Sequence, residues 1–192
     1  MGMDRIGKLR PESLDPAQRD LYHSILHGPR GGRTNPVRLV DDDGCLEGPF
    51  NAFLLQPSVG NALQMLGATL RYDSTLPDRW REIAILVVAV HRASDFERYA
   101  HEPVARTLGV TAEQLMGIRT GHYGTLDDHE KVLVHAVREM LDDEDLSDST
   151  FAELRSLLGD PQILELTALV GYYSLLALQL RVFRTPMPQD DR

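Results

Sequence analysis

Cysteine is nearly absent from the sequence, since Cys45 is the only one among 192 residues. A single cysteine cannot form a disulfide within the chain, and such sparing use favours a reducing compartment. The N-terminal segment MGMDRIGKLRPE lacks the apolar core of a secretory signal peptide. No uninterrupted apolar run approaches the roughly 20 residues that a membrane-spanning helix needs. The sequence therefore predicts a cytoplasmic protein with no membrane partner.

Aromatic residues and concentrated positive charge are also scarce. Phe, Trp and Tyr make up 6% of the chain, too few to suggest stacking platforms for single-stranded nucleic acid. The formal net charge is −9, and the basic residues form no stripe along the sequence. We therefore expect neither nucleic acid nor an anionic membrane as a partner.

Signals for helix starts recur along the chain, whereas signals for strands do not. Asp15 precedes Pro16, a pair typical of the N-cap and first position of a helix. Capping residues also stand three positions before Gln or Glu at Ser94 with Glu97, Thr111 with Gln114, and Asp127 with Glu130. The apolar run at 83–90 is interpreted as a helix, because no other segment alternates with a period of two and would pair with it as a strand. The chain is predicted to be all-α, with about seven helices.

Residues 29–49 form the longest stretch without a helical pattern. The segment, PRGGRTNPVRLVDDDGCLEGP, is rich in Gly, Pro and Asp. A loop of this length is usually either functional or mobile. It is a candidate lid over a site or an arm that contacts another subunit.

The most informative stretch is EIAILVVAVHRASDFERYAHEP, residues 82–103, in which an apolar run leads into acidic and histidine side chains. The capping pair Ser94 and Glu97 predicts that a second helix begins directly after Ser94. The segment is then a helical hairpin, with arms at about 78–91 and 95–108.

Folding back at this turn sets Glu82 and His101 at similar heights on the two arms. Glu97 and His101 are four residues apart on the second arm and share a face. We therefore predict that Glu82, Glu97 and His101 surround a small cleft floored by the apolar run. A carboxylate beside a histidine holds its tautomer, and an apolar environment raises the pKa of carboxylic acids. Such a cluster suits proton transfer to or from a carbon acid.

Each of these side chains also has a purely structural interpretation. Glu97 completes a capping box, and Glu82 is placed to complement the dipole of its helix. His101 is alternatively a hydrogen-bonded structural histidine. A metal site is not expected, because Glu97 and His101 supply only two ligands at helical spacing and no H-E-x-x-H motif is present.

Three segments carry a family resemblance: GPFNAFLLQPSVGNAL, RYDSTLPDRWREIAILVVAV and ERYAHEPVARTLGVTAEQL. Together with the closing VGYYSLLALQL, they resemble the carboxymuconolactone decarboxylase-like family, which is related to the alkylhydroperoxidase-D-like (AhpD-like) proteins. The similarity runs from about Gly48 to Leu180. It implies an all-α AhpD-like fold and a homo-oligomer, either a trimer or a hexamer, with sites near the subunit contacts.

The resemblance also separates two branches of that superfamily. The peroxidase branch carries Glu, then a C-x-x-C pair, then His. The Glu and His match Glu82 and His101, while the two cysteine positions fall on Ser94 and Glu97. This chain therefore resembles the branch without the thiol pair, and thiolate attack on a peroxide cannot occur at these positions.

Enzymes of the decarboxylase branch remove a carboxylate group from a lactone substrate without a metal or an organic cofactor. By this resemblance, His101 is the acid/base, Glu97 orients it and Glu82 assists. Arg71 is a candidate for pairing a substrate carboxylate, although an ion pair with a nearby Asp is an equal alternative. Further candidates for substrate binding are Ser94, Phe50 and Asn51.

The expected activity is a cofactor-independent lyase or isomerase acting on a small organic acid or lactone. The alternative is a non-catalytic oligomeric scaffold or ligand-binding protein of the same fold, and an alkyl hydroperoxide reductase ranks behind both. The predicted organisation is an N-terminal helix and loop extension at 1–47, the resembling helical domain at 48–185, and a tail at 186–192.

Overall fold

The structure, a computed structural model, describes residues 4–31 and 38–188. Residues 32–37 of the predicted loop and the last four residues of the predicted tail therefore lie outside the described residues. Regular structure in the described ranges is helical, apart from one isolated bridge between Val40 and Leu46. The all-α prediction is confirmed.

Nine α-helices occur in the described ranges, after a short 3-10 helix at Pro11–Ser13. They are α1 (Pro16–His27), α2 (Pro49–Phe53), α3 (Pro57–Tyr72), α4 (Asp78–His91), α5 (Asp95–Thr107), α6 (Ala112–Thr120), α7 (Asp128–Asp142), α8 (Asp148–Leu157) and α9 (Asp160–Phe183). The prediction of about seven was low. Helix α2 has five residues, too few to show a periodic pattern in the sequence.

The chain divides into two compact units. The first comprises residues 1–73 and 178–192, and the second comprises residues 74–177. The boundaries predicted from the sequence, at residues 47 and 185, follow a different division and stay predictions.

In the first unit, α3 lies close to the end of α2. A Cβ atom added at Gly60 would lie 2.3 Å from the carbonyl oxygen of Phe53. Only glycine allows the two backbones to approach this closely. The close packing offsets the roughly 1 kcal/mol by which glycine destabilises a helix relative to alanine.

In the second unit, α4 is the most enclosed element. Every residue from Arg81 to Ala89 is buried, and α4 packs against α5 and α7. Sequence periodicity could not separate a buried strand from a buried helix here, and the structure confirms the helix.

The turn between α4 and α5 has the reversal that the sequence predicts. Ala93 adopts a left-handed φ of 50°, and the Ser94 amide donates to the Ala89 carbonyl at 2.8 Å. The Ser94 side chain then accepts from the Glu97 amide and caps α5. Local capping chemistry thus ends one helix and begins the next within three residues.

Helix α9 is long and apolar enough, by length and composition, to cross a membrane, a feature that the sequence analysis did not anticipate. Half of its most apolar window is buried within the protein. The core helix of a globular protein meets the same criterion, so this is weak evidence for a membrane segment.

Candidate functional site

Three of the predicted side chains meet between α4 and α5. The Nδ1 atom of His101 lies 2.7 Å from Oε2 of Glu82, and its Nε2 atom lies 3.5 Å from Oε2 of Glu97. Glu82 is 0% exposed, and Glu97 and His101 are each 3% exposed. We refer to these three residues as the Glu–His–Glu cluster.

The local sequence explains why these side chains converge. The capped start of α5 places Glu97 in its first turn, and His101 follows one turn later on the same face. Because the chain reverses before Ser94, Glu82 of α4 comes alongside His101. The apolar residues that follow Glu82 in α4, Ile83 to Ala89, are buried as well.

The two carboxylates lie at different distances from the imidazole. A carboxylate only accepts hydrogen bonds, so the short contact requires Nδ1 of His101 to donate to Glu82. This bond sets the tautomer and the ring orientation, and it directs Nε2 toward Glu97. From the sequence, Glu97 was expected to orient His101; the shorter contact of the imidazole is with Glu82, and the catalytic roles of both carboxylates stay predictions.

Two residues that were not predicted from the sequence lie next to the Glu–His–Glu cluster. The ring of Tyr173 meets His101 edge to face, with centroids 5.1 Å apart. The Nε atom of Arg81 lies 3.9 Å from Oε1 of Glu82, an oxygen that has no hydrogen bond among the described residues. Arg81 also donates to Asp78 at 2.7 Å. Glu82 thus lies between the guanidinium of Arg81 and the imidazole of His101.

Ser94 also lies at the site. It is buried, and its hydroxyl oxygen accepts from the Glu97 amide at 3.4 Å. Its observed contact is the helix cap. A role for Ser94 toward a substrate stays a prediction.

The other predicted residues belong to the first unit. Asn51 donates to the Gly7 carbonyl at 2.7 Å and accepts from the Leu9 amide at 2.9 Å, so its side chain anchors the N-terminal segment. The guanidinium of Arg71 lies 5.8 Å from the ring centroid of Tyr72. It makes no ion pair in residues 4–31 and 38–188, so the alternative of an Asp partner is not found there.

Phe50, the remaining candidate, packs in an aromatic contact within the first unit. Its ring stands edge to face with Phe53, at a centroid distance of 5.7 Å, and the Arg30 guanidinium lies 5.0 Å from its centroid. Binding of substrate by Phe50, Asn51 and Arg71 stays a prediction.

Nowhere in 4–31 and 38–188 do three or more His, Cys, Asp or Glu side chains take positions suited to a metal ion.

Comparison with known proteins gives structural matches only. No protein-family model matches the sequence, and no curated protein gives a significant match. Among solved structures, an uncharacterised peroxidase-related protein from Ralstonia eutropha, described as an alkylhydroperoxidase AhpD core, aligns with a TM-score of 0.76 at 12% identity. That alignment covers 100% of this chain and 95% of the other.

Two further structures extend the comparison. A protein of unknown function from Agrobacterium tumefaciens, a putative antioxidant defence protein AhpD, aligns at 17% identity and a TM-score of 0.65, covering 73% of this chain and 97% of its own. A variant of the debrominase Bmp8, in complex with 2,3,4-tribromopyrrole, aligns at 11% identity and a TM-score of 0.70, covering 95% and 91%. At identities this low, the activities of these proteins cannot be transferred to this chain. The structural alignments nevertheless all agree with its helical architecture. The chain adopts the AhpD-like fold.

Proposed function

We propose that this protein is a cofactor-independent acid/base catalyst, a carbon–carbon lyase or an isomerase, that acts on a small organic acid or lactone. The observation that carries the proposal is the buried bond of 2.7 Å between His101 and Glu82, with Nε2 of the histidine turned toward Glu97. Histidine held in this way by a carboxylate is a common general acid/base.

The proposed steps use this chain's own groups. Glu82 holds the imidazole and stabilises it when it carries a second proton. In a decarboxylation, the carbon–carbon bond breaks, its electron pair stays on the substrate as an enolate, and carbon dioxide leaves. Nε2 of His101 first takes up a proton from water by way of Glu97, and the resulting imidazolium delivers this proton to the enolate carbon, which returns His101 to its neutral form. In an isomerisation, the same groups remove a proton at one carbon and return it at another.

Thiol peroxidase chemistry has less support. The cysteine pair of the peroxidase branch is replaced by Ser94 and Glu97. The only cysteine, Cys45, is 2% exposed, and burial raises the pKa of its thiol, which disfavours the reactive thiolate. A single thiol also provides no resolving partner for disulfide recycling.

A second candidate function is a non-catalytic ligand-binding or scaffold protein. It is favoured by the burial of the cluster, because a substrate has to reach residues that are only 0% to 3% exposed. In this case the Glu–His–Glu cluster only ties α4 to α5. Both candidates include self-association, which is supported by the exposed apolar residues Leu164 and Leu178 of α9, at 70% and 60%. A monomeric mass by light scattering would rule self-association out.

The experiment compares wild type with His101→Gln in D₂O, using a panel of lactones and small organic acids followed by mass spectrometry. Decarboxylation appears as loss of the carboxyl mass, and proton transfer alone appears as deuterium at carbon. General acid/base catalysis predicts that His101→Gln lowers the rate by about 10²- to 10⁴-fold. The matched control is His91→Gln, which breaks a second histidine–carboxylate pair of 2.8 Å outside the cluster.

Far-ultraviolet circular dichroism and the mass in solution must be unchanged in both variants. Full activity of His101→Gln would sink the catalytic assignment. If wild type shows neither reaction nor exchange on the panel, while His101→Gln loses only stability, the scaffold function is favoured instead.

A further inference from the structure

Arg81 is an arginine with an unusually buried side chain. It stands one residue before Glu82 in α4, and only 7% of it is exposed. Arginine is almost never fully buried unless its charge is paired. Its Nη1 atom donates to Asp78 at 2.7 Å, but the Asp78 side chain is itself 65% exposed, in the first turn of the helix. The contact with Asp78 therefore does not explain why the guanidinium is buried.

The buried part of this guanidinium lies beside Glu82. Nε of Arg81 is 3.9 Å from Oε1 of Glu82, and neither atom has a hydrogen bond among the described residues. Adjacent residues of a helix do not usually face each other, so the Arg81 side chain has to turn toward its neighbour. Within residues 4–31 and 38–188, Arg81 is the only arginine or lysine within 4.0 Å of the Glu82 carboxylate. The contact is one of charge and not a hydrogen bond.

A fully buried carboxylate needs a cation or hydrogen bonds to compensate for the water that it has lost. Around Glu82, Glu97 is a second carboxylate, and His101 is a cation only while it is protonated. Tyr173 contributes an aromatic ring in edge-to-face contact with the imidazole. The other ion pairs that join α4, α5, α6 and α7 use different residues: Arg79 with Glu130, His91 with Asp142, and Arg119 with Glu102. When His101 is neutral, Arg81 is therefore the positive charge that compensates Glu82.

The charge of Glu82 decides where hydrogen lies on His101. Beside an ionised Glu82, the neutral imidazole carries its hydrogen on Nδ1, and Nε2 has an unshared lone pair. If Glu82 takes up a proton, its O–H donates to Nδ1, and the imidazole hydrogen then lies on Nε2. In this second form Nε2 cannot accept a proton. Removing a cation beside Glu82 favours the second form, because the cluster then takes up a proton more readily.

We propose that Arg81 is a positioning residue of the Glu–His–Glu cluster: it keeps Glu82 ionised while His101 is neutral, and thereby leaves Nε2 of the imidazole free to exchange protons. The inference rests on the proposed function, because proton transfer at Nε2 requires this tautomer. It adds to that function a residue outside the cluster, which acts on His101 only through Glu82.

Proton–nitrogen correlation spectra of the histidine rings test the proposal, because they distinguish a ring nitrogen that carries hydrogen from a bare one. The signals of His101 are identified by their absence in His101→Gln. Spectra are recorded over a range of pH, and the quantity compared is the fraction of molecules with a bare Nε2. At the same pH, Arg81→Met is expected to lower this fraction by about tenfold, because it removes a unit charge 3.9 Å from Glu82. Arg81→Lys keeps the charge and is expected to remain close to wild type.

Two matched controls separate the charge of Arg81 from its other contacts. Asp78→Asn removes the hydrogen-bonded partner of Arg81 and leaves the guanidinium in place. Arg155→Met removes a positive charge from an exposed ion pair between α8 and α9. Both are expected to leave the fraction of bare Nε2 within about twofold of wild type. Should Arg81→Met fail to fold, Arg81→Gln provides a second uncharged replacement.

Three results would overturn the role of Arg81. They are an unchanged fraction of bare Nε2 in the folded uncharged variant, an equal loss in Asp78→Asn, and a wild-type imidazole that carries its hydrogen on Nε2 at the high end of the pH range. None of these measurements needs a substrate, so they are independent of turnover. On a substrate from the panel, kcat of Arg81→Met is expected to fall by about tenfold at neutral pH and to recover as the pH rises, with KM unchanged. Spectra that change as expected in a protein without turnover would overturn only the proposed function, whereas turnover with unchanged spectra would overturn only the role of Arg81.

Discussion

Two histidine–carboxylate pairs hold α4 to its neighbours, and they differ mainly in their access to water. His101 joins Glu82 at 2.7 Å, with side chains that are 4% and 1% exposed. His91, the last residue of α4, joins Asp142 of α7 at 2.8 Å, with side chains that are 25% and 42% exposed. The bond lengths are nearly equal, so length alone does not rank the two pairs.

The difference lies in what is left when a pair is broken. At the exposed pair, water replaces the lost partner, and Asp142 keeps Arg138 at 3.0 Å. At the buried pair, no water replaces the carboxylate of Glu82, and the imidazole and Arg81 stay buried. The same two residue types thus form a weak pair at the surface and, where they are buried, a cluster in which the loss of one partner is costly.

The largest effect is expected from Glu82→Ala. Removing one partner of a buried ion pair typically costs about 3–5 kcal/mol, because the remaining charged or polar groups lose their compensation. Urea unfolding followed by circular dichroism measures the change in the free energy of unfolding. A loss below about 1 kcal/mol would contradict the view that this cluster is closed to solvent.

The double variant Glu82→Leu with His101→Leu sharpens this expectation. Replacing both partners by apolar groups of similar volume is often neutral in buried pairs. The double variant is therefore expected to be more stable than Glu82→Ala, although it should lack the proposed activity. If the double variant and Glu82→Ala were equally destabilised, the intact pair itself would contribute the stability. The loss in Glu82→Ala would then not come from leaving His101 buried without a partner.

An intermediate effect is expected at Glu165 of α9, which also lies in the second unit. Its carboxylate accepts from the Ser74 hydroxyl at 2.6 Å and from the Thr75 amide and hydroxyl, each at 2.8 Å. Glu165→Ala removes these charge-assisted bonds and is expected to cost about 1–2 kcal/mol, because the site is only partly buried.

The pH dependence of the stability difference between wild type and Glu165→Ala tests whether the ionised carboxylate is responsible. Desolvation raises the pKa of this carboxyl, but the hydrogen bonds from Ser74, Thr75 and the Leu76 amide together outweigh it, and the net pKa lies below the ordinary 4.5. A lowered pKa in the folded state means that the stabilisation is present above pH 4.5 and is lost as the pH falls through the folded pKa. The difference between wild type and Glu165→Ala should therefore shrink on acidification. A difference that grows below pH 4.5 would contradict this sign.

The smallest effect is expected from His91→Gln. The hydrogen bond from His91, followed by that from Arg138, holds the pKa of Asp142 below its ordinary 3.8, so this contribution is lost only as acid protonates Asp142. The fall in Tm should be smaller than for Glu165→Ala, and it should vanish near 1 M salt, where the screening length is about 3 Å. A fall in Tm that matches that of Glu82→Ala would remove the contrast between the two pairs.

The parts of this molecule that could be predicted are those with local causes. The capping pair at Ser94 and Glu97, and the lengths of α4 and α5, follow from residues within a few positions of each other. The same holds for the shared face of Glu97 and His101. Arg81 and Tyr173 were missed for two reasons. Arg81 adjoins an apolar run, but nothing in the sequence indicates that its side chain is buried. Tyr173 belongs to α9 and is far from His101 in sequence, so their contact could not be predicted.

The sequence by itself determined the longer helices of this protein and the residue types at its candidate site, because capping and periodicity act over one or two turns. Only the tertiary structure decided which carboxylate bonds His101, that Glu165 binds the turn at 74–76, and that Arg81 is buried beside Glu82. The physical reason is that contacts of 2.7 Å depend on the rotation and offset of packed helices. These are set by the summed packing of side chains from several elements, and no single segment encodes them.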